Sequence, residues 1–266
     1  RFRFLTTNGE PGVTDYQVTI ILVVSVAISY TLSLLTRWHA SAYSWGLDRN
    51  HGVPRVGGLA IIGSVFTLAL IIIEVEQNLF ILIFGSLLVG FIGLLDDLGL
   101  GRGPTLKLLV SLVAASITIY ATDVYFALII LPLIDGAIFH AQIALFISII
   151  GVTGVTHAVN LIDGINGLAL SFSIMAFTAL SVIALSSDET SVGYLSLLIV
   201  GACIGVLILN FPSGSIFLGD IGSYFLGFLG AWIATYLCFK NPEISPWAFL
   251  TLFAYPVVET LYSIVR

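Results

Sequence analysis

The sequence predicts an all-α fold, a polytopic integral membrane helix bundle with about nine transmembrane helices, and three observations carry that prediction. Of 266 residues, 58% are hydrophobic and only 9% charged, with a mean hydropathy of +1.10, whereas a soluble domain is about 25% charged. Apolar runs long enough to cross a bilayer, roughly 17–25 residues, recur along the whole chain. The ionisable residues fall between those runs or near their ends, with Glu259 as the exception. A length prior of ~150 residues per domain would suggest two domains, but packed membrane helices form one cooperative unit, and 1–266 is read as a single transmembrane domain.

Taken in order, an external tail (1–17) precedes runs at about 18–36, 56–73, 79–95, 105–122, 141–158, 168–186, 192–210, 221–239 and 247–265. A further stretch, 124–134, is too short to span and is closed by Pro132 and Asp135. It is read as an external hairpin or surface-lying piece. Lys and Arg gather on the cytoplasmic side of short loops. With 37–57 placed inside, Arg37, Arg49, Arg55, Arg102, Lys107 and Arg266 all become cytoplasmic, and only Lys240, Arg1 and Arg3 fall outside. The N-terminus is therefore expected outside and the C-terminus in the cytoplasm, in a multi-pass protein of the cell (inner or plasma) membrane.

Other classes are disfavoured. There is no basic stripe for nucleic acid, and Cys203 and Cys238 lie in apolar runs, with neither metal-ligand nor disulfide spacing. Glu259, inside the last run, is expected to face the bundle and find a partner. The chain begins with Arg1 rather than Met, and it is read as a fragment.

The predicted topology brings four polar, glycine-rich islands to one face, near 37–57, 96–107, 157–168 and 210–223. Ionisable residues at membrane helix ends, all on one side, point to a functional site. Asp96, Asp97, Asp163 and Asp220 could converge only around positive charge, because carboxylates in contact raise one another's pKa. Oxygen donors without a His/Cys cluster suit Mg²⁺ or Mn²⁺, which is commonly held by one or two carboxylates plus substrate phosphates. Arg55, Arg102 and Lys107 could bind anionic oxygens, and glycines such as Gly219 would let backbone approach a phosphate. Each island also has a plainer reading. The Asp96–Asp97 pair could be a solvated helix end, Asn160 and Asp163 could cap one, and Gly219–Asp220 could be an N-cap. His51 and His157 could be satisfied polar residues, and Lys107 a snorkelling anchor.

NLIDGINGL (Asn160–Leu168), FLGDIGS (Phe217–Ser223), LLDD (Leu94–Asp97) and RNHGVPRVGG (Arg49–Gly58), in compatible order and spacing, resemble the polyprenyl-phosphate N-acetylhexosamine-1-phosphate transferases. The likeness runs from about residue 20 to the end. It implies transfer of a sugar-1-phosphate from a UDP-sugar to polyprenyl (undecaprenyl) phosphate, giving a polyprenyl-diphosphate sugar and UMP. That step initiates cell-wall or surface-polysaccharide synthesis, such as O-antigen of lipopolysaccharide or teichoic acid. The resemblance implies Asp163 and Asp220 as Mg²⁺ ligands with Asn160 as a further donor. It implies Asp96 and Asp97 as the groups that position or deprotonate the lipid phosphate. Lys107 and Arg55 would be phosphate partners, with His51, Asn160, Asn166 and Gly219 around the nucleotide and its phosphates. A homodimer in the bilayer and no nucleic-acid partner are also expected.

The chain departs from the family pattern at Leu100, where a third acid is frequent, at Asn166, where aspartate is common, and at His157, which replaces a more usual asparagine. The family's His-x-His loop, expected just beyond Arg266, is absent. Two other classes make different demands. An intramembrane prenyltransferase would need two spaced aspartate motifs. An ion-coupled transporter would need ionisable groups near mid-span.

Overall fold

The computed structural model describes residues 15–48, 51–73, 76–101, 103–126 and 141–266. The tail, most of 124–134, and Arg49, Glu74, Arg102 and Asp135 lie outside the described residues. Among the described residues ten helices follow one another: α1 (Asp15–Tyr43), α2 (Gly57–Ile72), α3 (Gln77–Asp97), α4 (Pro104–Thr122), α5 (Ala141–Leu161), α6 (Leu168–Ser186), α7 (Thr190–Asn210), α8 (Gly219–Lys240), α9 (Pro246–Leu252) and α10 (Ala254–Val265). Seven of them, α1 and α3 to α8, are long and apolar enough to cross a membrane. The outward faces carry exposed Phe80, Phe84, Phe91, Val113, Ile117 and Tyr120, an apolar surface larger than water tolerates and suited to acyl chains.

Each expected run coincides with helix, with two differences. The second, α2, has 16 residues, about 24 Å of helix, short of a hydrocarbon core of about 30 Å. The last is not one helix. It breaks at Phe253 into α9 and α10, which meet at 66°. Pro256 has no N–H to offer the carbonyl of Leu252, so the ladder cannot run through. The bend also corrects the expectation for Glu259, which is exposed on α10 rather than turned into the bundle.

The bundle is built around α8. Every residue from Gly219 to Cys238 is buried, with α3, α5, α2 and α6 packed around it. Lipid supplies no hydrophobic drive between helices, so close approach through small residues and interhelical hydrogen bonds holds them together. Ser25 and Ser29 of α1 donate to the carbonyls of Leu198 and Ala202 on α7 at 2.6 and 2.7 Å. Gly93 of α3 faces the first turn of α8, where an added Cβ would come within 2.6 Å of the Asp220 carbonyl and 2.7 Å of the Ile221 nitrogen. Neither backbone can yield cheaply. Gly93→Ala is therefore expected to cost about 2–3 kcal/mol of stability, read as a lowered unfolding midpoint in detergent; an unchanged midpoint would show that the two helices are not in contact there.

The α1–α2 connection folds back on itself through a short antiparallel bridge between Leu47 and Pro54. It then pairs with the segment entering α8. Phe217 N–H donates to Pro54 O at 2.8 Å, and Gly57 and Gly58 N–H donate to Phe217 O and Leu218 O at 2.9 and 2.8 Å. This ribbon-like contact delivers Arg55 to the start of the central helix.

Candidate functional site

All four polar islands meet at one end of the bundle, where α3, α5 and α7 finish and α2, α4, α6 and α8 begin. Two cations tie three of the acids together. Arg55 Nε lies 3.4 Å from Asp97 Oδ1, and its Nη2 lies 3.3 Å from Asp220 Oδ1. Lys107 Nζ lies 2.7 Å from Asp220 Oδ2 and is also paired with Asp96 Oδ2. Asp220 is thus held from both sides, by Arg55 at one oxygen and Lys107 at the other.

The adjacent aspartates Asp96 and Asp97 have different surroundings. The side chain of Asp97 is 1% exposed. Its Oδ1 accepts from the backbone N–H of Asp220 at 3.1 Å and its Oδ2 from that of Ile221 at 3.0 Å. These are orphan donors at the N-terminus of α8, where a negative charge also meets the positive end of the helix dipole. The cap of α8 therefore comes from α3, 123 residues earlier in the chain. Asp96, one residue before, keeps a third of its side chain exposed and faces an open cleft.

Gly219 has φ +81°, and a Cβ there would meet Asp97 Oδ2 at 2.7 Å and Arg55 O at 2.8 Å. Only glycine combines that backbone with that proximity. Asn160 donates from Nδ2 to Ser223 Oγ at 2.8 Å, tying the end of α5 to α8. Asp163 follows in the α5–α6 turn. Enclosure of its carboxyl pushes its pKa well above the usual carboxylate range, reinforced by Asp220 and Asp97, while Arg55 and the Gly219 backbone N–H pull the other way. His51 is largely exposed and paired with Asp48, Nδ1 to Oδ1 at 2.9 Å.

Two clefts open on either side of Arg55. The larger, about 850 Å³, is lined by Trp45, Asp48, Arg55, Asp96, Asp97 and Gly99 among others. The smaller, about 210 Å³, is lined by His51, Arg55, Asp163, Asn166, Asn210 and Phe217 among others. Among the described residues, each expected site residue belongs to the network, to one of its clefts, or, for Asn160, to the helix contact beside it; Arg102 lies outside them.

Among the described residues no three acids, histidines or cysteines form a ready-made metal cage. The donor set nonetheless fits a Mg²⁺ ion, which needs only one or two carboxylates and keeps waters and substrate phosphates as its other ligands. Four carboxylates here face two described cations, Arg55 and Lys107. Asp163, whose charge is disfavoured by burial and then by its like-charged neighbours, is an acid that a bound cation would relieve.

Sequence reasoning passed over Asn210, Ser111 and Tyr224. Asn210 accepts from Gly167 N–H at 2.6 Å and donates to Ile216 O at 2.8 Å, joining the third and fourth islands. Ser111 and Tyr224 come one turn after Lys107 and Asp220. That four-residue spacing on one helix face was the available signal.

The sequence pattern of glycosyl transferase family 4 matches residues 79–238. A probable undecaprenyl-phosphate N-acetylglucosaminyl 1-phosphate transferase of Bacillus subtilis (strain 168) is 29% identical over 216 residues, 80% of this chain and 60% of the relative. A phospho-N-acetylmuramoyl-pentapeptide-transferase of Latilactobacillus sakei subsp. sakei (strain 23K) is 30% identical over 205 residues, 72% and 61% of the two chains. Another of that name, from Clostridium perfringens (strain 13 / Type A), is 30% identical over 225 residues, 81% and 69% of the two. The chain spans about three fifths of the length of the first two relatives. With its matched segment running from the start of α3 to the end of α8, through three of the four islands, this multi-pass membrane chain belongs to glycosyl transferase family 4.

Proposed function

We propose that the protein transfers an N-acetylhexosamine-1-phosphate from a UDP-sugar to a polyprenyl phosphate, at the cytoplasmic face of the plasma membrane. With α2 and the bent α9–α10 pair each counted as a crossing, the described residues supply nine spans, with the N-terminus outside and the islands inside. The observation that carries this reading is the clasp on Asp220. Two cations and the N-terminus of a buried helix converge between two polar clefts, at the end of helices whose outer faces suit lipid. Such a site can hold two phosphate compounds at once, one from the bilayer and one from water.

In the reaction an oxygen of the lipid phosphate attacks the sugar-proximal phosphorus of the UDP-sugar. A new P–O bond forms, the bond to the bridging oxygen breaks, and UMP leaves with that oxygen and its electron pair. The larger cleft, open at Asp96, takes the lipid phosphate, and Asp96 accepts its proton where it arrives protonated. The smaller cleft takes the nucleotide, with His51, Asn166 and Gly219 around it and Arg55 against its phosphates. Asp163 and Asp220, with Asn160 near, would hold a Mg²⁺ ion, which when bound would neutralise diphosphate charge. Lys107 and Arg55 stabilise the negative charge that grows on the phosphoryl oxygens.

The test is incubation of the purified full-length protein with polyprenyl phosphate, Mg²⁺ and a panel of UDP-sugars labelled in the sugar. Label should become lipid-extractable with at least one N-acetylated hexosamine, UMP should accumulate in equal amount, and EDTA should stop both. Absence of lipid-bound label from every UDP-sugar would refute the transferase reading, and full activity in EDTA would refute the metal.

A further inference from the structure

Lys107 is held by more than its two acids. Its Nζ lies 5.8 Å from the centroid of the Tyr224 ring, within the range at which an ammonium is drawn to an aromatic face. Tyr224 is 3% exposed and is itself braced. The His157 ring stands edge-on to it, centroids 5.2 Å apart at 80°, and Tyr224 Oη is 3.4 Å from His157 Nδ1. The other ring nitrogen of His157, Nε2, is 2.8 Å from Ser111 Oγ, and Ser111 is one turn beyond Lys107 on the same helix. The bracket closes on itself, from Lys107 of α4 to Tyr224 of α8, to His157 of α5, and back to Ser111 of α4.

We infer that Tyr224 and His157 are positioning residues that fix the Lys107 ammonium between Asp96 and Asp220. A lysine side chain has four rotatable bonds and much rotamer freedom to lose. Two carboxylates on one side would leave its head able to swing between them, and the ring behind it removes that freedom. Three neighbouring helices are set relative to Lys107 by the same contacts. For its kinetic consequence the inference rests on the proposed transferase reaction, but the contact itself can be read without turnover.

The chain has two lysines, Lys107 and Lys240, and Lys240 Nζ lies 5.7 Å from the ring centroid of Tyr236 at the other end of α8. Dimethylation with ¹³C-formaldehyde would give each a methyl resonance displaced by its own ring current, Lys240 serving as internal control. Y224L is expected to return the Lys107 resonance toward that of free dimethyl-lysine and leave Lys240 in place. On unmodified enzyme it should lower kcat about tenfold, with the KM for UDP-sugar changed less than about twofold. Y224F, which keeps the ring, should preserve the resonance and most of kcat, and H157A should displace the resonance while H157N moves it less. A Lys107 resonance untouched by Y224L, or a Y224L enzyme with unaltered kcat, would overturn the inference. If Y224L fails to fold, seen as loss of the Lys240 displacement too, H157A decides, and an unmoved Lys107 resonance in that variant refutes the bracket. A wild-type protein inactive with every UDP-sugar counts against the proposed reaction alone, because the resonance reports the contact independently.

Discussion

Asp220→Asn is expected to lower transferase turnover by about 10²–10³-fold, the scale on which single electrostatic contacts to a transition state act, while the protein stays folded. The amide matches the carboxylate in volume and keeps one acceptor oxygen, so the packing of α8 against Gly93 and Gly58 is undisturbed. It removes the charge that holds Arg55 at 3.3 Å and Lys107 at 2.7 Å, and with it one of two proposed metal ligands. The measurement is initial rate at saturating UDP-sugar and lipid, paired with an unfolding midpoint in the same detergent. Turnover within about fivefold of wild type, far short of that scale, would show that Asp220 organises the site without taking part in it. The Mg²⁺ concentration for half-maximal rate should rise in the same variant, which separates a lost ligand from a lost ion pair.

Asp97→Ala should fail in another way, by loosening the fold. It leaves two backbone N–H groups at the buried head of α8 without acceptors and the partly exposed Arg55 without one of its two acids. Removing one partner of a buried, hydrogen-bonded charge costs about 3–5 kcal/mol, and a shift of that size should be plain in an equilibrium unfolding curve. Asp97→Asn, which keeps an acceptor for one N–H, should lie between. Asp96→Ala should show the reverse pattern, with stability changed by less than about 1 kcal/mol because its ion pair is partly exposed and turnover severely reduced. If Asp97→Ala unfolds like wild type, the clamp drawn from α3 to α8 is not what holds the central helix.

That contrast marks what a sequence reading reaches and what it does not. The helices were legible because hydropathy alone fixes them, and the four islands shared one face because each run reverses the chain. Neither argument reaches inside an island. LLDD presents two identical side chains in succession, yet successive residues on a helix point about 100° apart. Asp97 is aimed at the head of α8 and Asp96 at the cleft. Gly219–Asp220 had the look of an N-cap, and a cap is present, but it arrives from another helix and no local pattern announces that. The break at Phe253 had a visible cause in Pro256, outweighed by an unbroken apolar run. Tyr224 and Ser111 looked like ordinary span residues, because their shared partner, His157, lies 67 residues from one and 46 from the other.

The clamp has a consequence for how the protein is made. Chains emerge N-terminus first, so α3 and α4 enter the bilayer while the segment that becomes α8 is still being synthesised, more than a hundred residues behind. Through that interval Asp96, Asp97 and Lys107 wait at the water's edge, hydrated and without their final partners. When α8 threads between helices already in the membrane, its bare backbone amides meet Asp97 and its Asp220 meets the waiting cations. The arrival of α8 thus completes the charge cluster, and a chain stalled before that moment lacks it.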